Sequence, residues 1–161
     1  MSPHSMTEFK ETQKMTQWWL WAILLGTMGV VLWRIIDDAV SRQLSFAEFL
    51  HSPGVWAPIL LPIVILGFFY VASLKTDVDS TGIRIRYFPM WQTNIPWEQM
   101  ESAEIMKYGF VGYGIRFSIR HGTVYNAKGN RGLQIVKKNG SKILIGTQRP
   151  EELKAAVDKF L

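Results

Sequence analysis

Residues 55–88 read VWAPILLPIVILGFFYVASLKTDVDSTGIRIRYF, and the pattern changes partway through. Up to Leu74 there are twenty residues without a charge, the length of helix that crosses a hydrocarbon layer ~30 Å thick. From Lys75 onward the apolar residues alternate instead: Ile83, Ile85 and Tyr87 fall on one face of an extended chain, Arg84 and Arg86 on the other. One stretch therefore contains both a membrane span and the first strands of a soluble domain.

Upstream, residues 18–36 (WWLWAILLGTMGVVLWRII) form a second apolar run with one charge, Arg34, near its end. Trp18, Trp19, Trp21 and Trp33 mark its ends, and Trp56 and Tyr70 those of 55–74, as aromatics do at membrane interfaces. Two buried core helices are the competing reading, but the 87 residues that follow could not cover them. A cleaved signal is disfavoured because Arg34, Asp37 and Asp38 precede any small-residue cleavage site. Lys10 and Lys14 precede the first span, and Lys75, Arg84 and Arg86 follow the second. By the positive-inside rule both termini are cytoplasmic. The expected order is a cytoplasmic N-terminal tail at 1–17, a span at 18–36, an extracytoplasmic loop at 37–54, a span at 55–74 and a cytoplasmic domain at 75–161, all at the inner membrane.

Charge is divided unevenly along the chain. Residues 1–74 hold Lys10, Lys14, Arg34 and Arg42 against five acidic residues, so the excess of +5 belongs to the remainder. The absence of cysteine excludes disulfides, thiol chemistry and the usual structural zinc sites.

In the soluble part, strands are expected near 75–79, 82–88, 91–95, 100–107, 113–120, 123–127, 132–138 and 142–147. Ile115, Phe117 and Ile119 should face inward. Asn139-Gly140 suggests a hairpin with a type I′ turn. A helix from about 150 to 160 follows, with Leu153, Val157 and Phe160 on one face. Its entry, ILIGTQRPEEL (143–153), has one glycine, no lysine beside it and two glutamates at the helix start. It reads as a structural junction and not a phosphate loop.

The fold class is thus α+β: two transmembrane helices, then a small antiparallel β-barrel or sandwich closed by a C-terminal helix. TDVDSTGIRIRYF, IPWEQMESAEI and GNRGLQIVKKNGSKILIGTQRPEEL together resemble the bacterial PH-like (pleckstrin-homology-like) membrane proteins over roughly residues 75–161. The resemblance implies a cytoplasmic barrel held against the membrane, and no common enzymatic activity.

No catalytic signature is present, and no cofactor, small-molecule substrate or nucleic acid is expected. His4, His51 and His121 are scattered, while Glu98, Glu101 and Glu104 read as solvated charges. Two basic loci remain. Lys75, Arg84 and Arg86, in the order K-x8-R-x-R, are similar to the phosphoinositide motif of eukaryotic PH domains and are candidates for lipid-headgroup contact. On the polar side of their strand, both arginines should be exchangeable for glutamine without harm to the fold. The second locus is the glycine-flanked loop Lys128, Gly129, Asn130, Arg131 and Gly132, a candidate for contact with a partner or an anion. Tyr108, Phe110 and Tyr113 mark a further contact loop. The functional expectation is a non-enzymatic membrane protein that scaffolds or regulates a protein partner, either a membrane protein or a second copy. The alternative is an anionic-lipid-sensing module, and a third reading is a subunit of a membrane enzyme complex.

Overall fold

The structure, a computed structural model, describes residues 7–109 and 112–161. It divides into two compact units, one comprising Thr16–Tyr70 and the other the N-terminal segment to Met15 together with Val71–Leu161.

The first unit contains α1 (Trp18–Ser41), the short α2 (Phe46–His51) and α3 (Pro53–Val71). Both α1 and α3 are long and apolar enough to cross a membrane. Almost none of their residues is fully buried, and many of the large apolar side chains along them, among them Ile23, Leu25, Trp33, Leu61 and Ile63, stand exposed. α1 outruns the expected end at Ile36 by more than a turn. α2 occupies the expected loop and is held by a capping box: Ser45 Oγ accepts from the Glu48 N–H while the Ser45 N–H donates to the Glu48 carboxylate at 2.8 Å. The Ser45 hydroxyl, and then its N–H, hold that carboxyl below its ordinary pKa. α3 ends at Val71, short of the expected Leu74, because Ser73 and Leu74 already belong to the next strand. Leu74 is apolar because it faces the protein core, and in the sequence it is indistinguishable from the end of a span.

The second unit is two sheets and a helix. The first sheet has the order β1-β2-β3-β4, from β1 (Phe9–Lys14), β2 (Ser73–Asp79), β3 (Gly82–Phe88) and β4 (Trp91–Pro96), all antiparallel. A 3-10 turn at Trp97–Gln99 leads to the second sheet, order β5-β8-β9-β7-β6, from β5 (Met100–Lys107), β6 (Gly114–Ser118), β7 (Gly122–Asn126), β8 (Arg131–Lys137) and β9 (Lys142–Gly146). The core forms where alternating faces meet: Leu74, Val78, Ile83, Ile85, Ile95, Leu133, Ile135, Leu144 and Ile145 are all fully buried.

Four features differ from expectation. First, residues 9–14 are not tail but strand, hydrogen-bonded to β2 along its whole length. Second, the sheets do not close into a barrel, and the second sheet is mixed. β9 lies between β7 and β8, which run in opposite directions, and the β8–β9 hairpin makes β9 antiparallel to β8 and so parallel to β7. Third, the β8–β9 hairpin is not a two-residue type I′ turn. The Lys137 N–H donates to the Ser141 carbonyl across a three-residue loop, with Gly140 alone in the left-handed region at φ 80°. Fourth, Phe117 on β6, the last strand of its sheet, and Ile119 in the turn after it are 81% and 99% exposed.

α4 (Pro150–Val157) contacts strands of both sheets, with Leu153, Ala156 and Val157 buried. Phe160, expected to be buried, is only half-buried and stacks on Trp97 with ring centroids 5.2 Å apart. Phe160→Ala is therefore expected to cost about 2 kcal/mol, below the 3–5 of a fully buried ring. Urea unfolding of the full chain in detergent measures it.

Candidate functional site

β3 alternates as the sequence implied, with Ile83, Ile85 and Tyr87 inward and Arg84 and Arg86 outward. The register sets Lys75 directly opposite Arg86 and Asp77 opposite Arg84, which brings the three basic candidates onto one outer face. Each arginine leans diagonally to an acid on β2. Arg86 donates to Asp77 Oδ2 at 2.7 Å, and Arg84 lies 3.9 Å from Asp79. Burial would raise the Asp79 pKa, but the Thr81 hydroxyl and N–H, with Arg84, more than offset it, so its carboxyl sits below the ordinary value.

The two arginines are consequently not equivalent. Asp77 is buried, and its second oxygen has no hydrogen-bond partner among the described residues, so the guanidinium of Arg86 is the hydrogen-bonded partner of a buried carboxylate. Arg86→Gln is expected to destabilise by about 2 kcal/mol, whereas Arg84→Gln, an exposed arginine 3.9 Å from a carboxylate that Thr81 already hydrogen-bonds, should change stability by less than about 1. A comparison of their denaturant midpoints checks this, and equal midpoints would remove the distinction. The expectation that both arginines are dispensable to the fold is corrected for Arg86.

Beside them, the β3–β4 hairpin turns through Phe88, Pro89 and Met90, closed by the Met90 N–H donating to the Tyr87 carbonyl at 2.8 Å. Lys75, Arg86 and the turn residues up to Gln92 line a hollow of about 230 Å³. Phe88, Met90 and Trp91 are each more than half exposed. Burial raises the pKa of the Tyr125 hydroxyl, and the neighbouring Trp91 side chain offsets part of that rise.

The second basic locus lies on the opposite side of the chain's chemistry: its backbone carbonyls, rather than converging N–H groups, are engaged. The Lys128 carbonyl accepts from Gln148 Nε2 at 2.7 Å, that of Asn130 from the Tyr108 N–H and that of Arg131 from the Thr147 N–H. Gly129 is in the left-handed region, φ 86°, against Gln148. The Arg131 guanidinium reaches to 3.9 Å from Glu151. Lys107, Tyr108, Gly109, Tyr113, Gly129 and Asn130 line a hollow beside this loop. Tyr108 is buried, its hydroxyl pushed up to about 12, first by burial and then by Tyr113; Phe110 lies outside the described residues. His51 and His121 fall in separate units, His4 lies outside the described residues, and Glu98 sits on the 3-10 turn apart from Glu101 and Glu104 on β5. Among the described residues no cluster of His, Asp or Glu could hold a metal ion.

What the sequence reading missed is Glu11. This β1 side chain is buried and its carboxylate is received at the β9–α4 junction, accepting from the Thr147 hydroxyl at 2.6 Å and the Gln148 N–H at 2.9 Å. Two residues along, Gln13 Nε2 donates to the Gly146 carbonyl at 2.7 Å. Arg149 lies 5.2 Å over the Phe9 ring, and Lys159 pairs with Glu8. Gly146 is required there: a Cβ would stand 2.7 Å from Asn126 Oδ1 and 3.0 Å from the Tyr108 hydroxyl. The strand–turn–helix junction thus does receive an anion, and the anion is the protein's own N-terminal strand.

Comparison with known proteins returns no matching family model, no matching curated protein and no matching solved structure.

Proposed function

We propose that this chain is a non-enzymatic, two-span protein of the bacterial inner membrane whose PH-like unit scaffolds or regulates a protein partner on the cytoplasmic face. β1 precedes α1 and β2 follows α3, yet the two strands are hydrogen-bonded neighbours. If α1 and α3 each cross the bilayer, this pairing requires both ends of the two-span segment to emerge on one side. The basic residues flanking the spans make that side cytoplasmic. In favour of a PH-like plan are two stacked-strand sheets followed by one C-terminal amphipathic helix; the parallel β7–β9 pair and the N-terminal strand are departures from the antiparallel barrel that the resemblance implies.

The observation that carries the partner reading is the β6 edge. Among the described residues β6 pairs only with β7 and is the last strand of its sheet; Phe117 on it and Ile119 in the turn after it are 81% and 99% exposed. Open apolar edges are where another chain adds a strand, and soluble proteins normally blunt them with charge or cover. A photo-crosslinking residue at position 117 should capture a discrete protein, or a second copy, in native membranes. Adducts no stronger than those from position 139, on the exposed β8–β9 turn, would refute the assignment. An anionic-lipid-binding module is the second reading, favoured by Lys75 and Arg86 lining one hollow.

A further inference from the structure

The end of the first sheet that carries both helix connections also carries an exposed apolar turn. Lys14, the last residue of β1, pairs with Ser73, the first of β2, and Ser73 pairs with Phe88, the last of β3. One residue, Ala72, separates β2 from the end of α3, and three separate β1 from α1. A chain reaches at most about 3.6 Å per residue, so Ser73 stands within about 8 Å of the end of α3 whatever the orientation of the two units. Neighbouring strands are ~5 Å apart, which keeps Phe88 within about 15 Å of that point.

At this end Phe88 is 52%, Met90 58% and Trp91 57% exposed, three large apolar side chains in four residues. Their chemistry is that of a membrane interface: a tryptophan beside Phe and Met, with a lysine and an arginine lining the same hollow. We propose that the 88–91 turn is a third membrane contact, seated in the interfacial layer of the same bilayer, with Lys75 and Arg86 toward its anionic headgroups. This rests on the reading of α1 and α3 as spans. The two connections leave from adjacent strands and define a single line across the sheets. A third contact to one side of that line fixes their tilt, and with it the direction in which the β6 edge faces.

The chain has no cysteine, so a nitroxide can be placed at one introduced site at a time without altering native thiols. Met90→Cys, Asn139→Cys and Ile63→Cys, each in the full chain, would be reconstituted into vesicles of phosphatidylcholine with phosphatidylglycerol. Collision rates with oxygen and with a water-soluble nickel chelate then report depth. The proposal expects position 63 to read as hydrocarbon, position 90 as interfacial and position 139 as water. Position 90 should sit deeper with phosphatidylglycerol present than in phosphatidylcholine alone. A water-like reading at 90 with a hydrocarbon reading at 63 would overturn the proposal and leave the spans standing. A water-like reading at 63 would overturn both. Strong spin–spin coupling between labels at 90 would assign the turn to a second copy and likewise overturn it.

Discussion

Glu11→Ala is expected to destabilise the soluble unit by about 3 kcal/mol, although the residue lies in a segment that the sequence presents as a polar tail. The carboxylate is buried and accepts two hydrogen bonds, from the Thr147 hydroxyl and the Gln148 N–H. A hydrogen bond to a charged group contributes about 1.5–3 kcal/mol, and alanine removes both while leaving two donors inside the protein. Water entering the space left by the side chain recovers part of the loss, which is why the expected value is nearer one strong bond than two. Glu11→Gln keeps one acceptor oxygen and should cost only about 1–2 kcal/mol. Denaturant unfolding of the full chain in detergent gives the loss, and hydrogen exchange of the β1 amides shows where it falls. A Glu11→Ala protein within about 0.5 kcal/mol of the parent, the range of an ordinary surface substitution, would mean that the strand is not docked this way.

Leu153→Ala is expected to cost about 3–4 kcal/mol, the largest effect of any residue in α4. Leu153 is fully buried, and α4 reaches strands of both sheets, so the cavity left by the missing side chain has little room to collapse. Its other buried side chains, Ala156 and Val157, are smaller; Glu151, Glu152 and Ala155 are exposed, and the Arg149–Glu152 and Lys154–Asp158 pairs are surface ion pairs. The contrast with Phe160→Ala, at about 2 kcal/mol, separates a side chain under the helix from one stacked at its end. Equal losses for the two would contradict the packing described.

The two long apolar helices were legible because each is a run of ~20 apolar residues, and β3 because a half-buried strand must alternate. β1 was not legible. Its inward residues are Phe9, Glu11 and Gln13, with Met15 buried just past its end, and Glu11 and Gln13 are polar. They are buried because partners more than a hundred residues away, at the β9–α4 junction, accept and donate hydrogen bonds, and no local pattern encodes that. β6 failed in the opposite sense. Its alternation is apolar enough to imply an inward face, but its position at the edge of the sheet is a property of topology. The same is true of the parallel β7–β9 pair. Among the candidate residues, the approach of Lys75 to Arg86 follows from the short turn at Ser80-Thr81 and could be read from register. The diagonal reach of Arg86 to Asp77 could not, and it is the contact that turns a presumed surface charge into a structural one.

The central claim is that a two-span membrane hairpin is inserted between two neighbouring strands of one cytoplasmic sheet. Sided labelling tests it most directly. Thr12→Cys in β1, Ala47→Cys in α2 and Asn139→Cys in the β8–β9 turn are all at exposed positions of a chain without native cysteine. In inverted membrane vesicles a membrane-impermeant maleimide should modify positions 12 and 139 together and spare 47, and in right-side-out vesicles the pattern should reverse. Modification of positions 12 and 139 from opposite sides would contradict the account, because β1 could not then pair with β2.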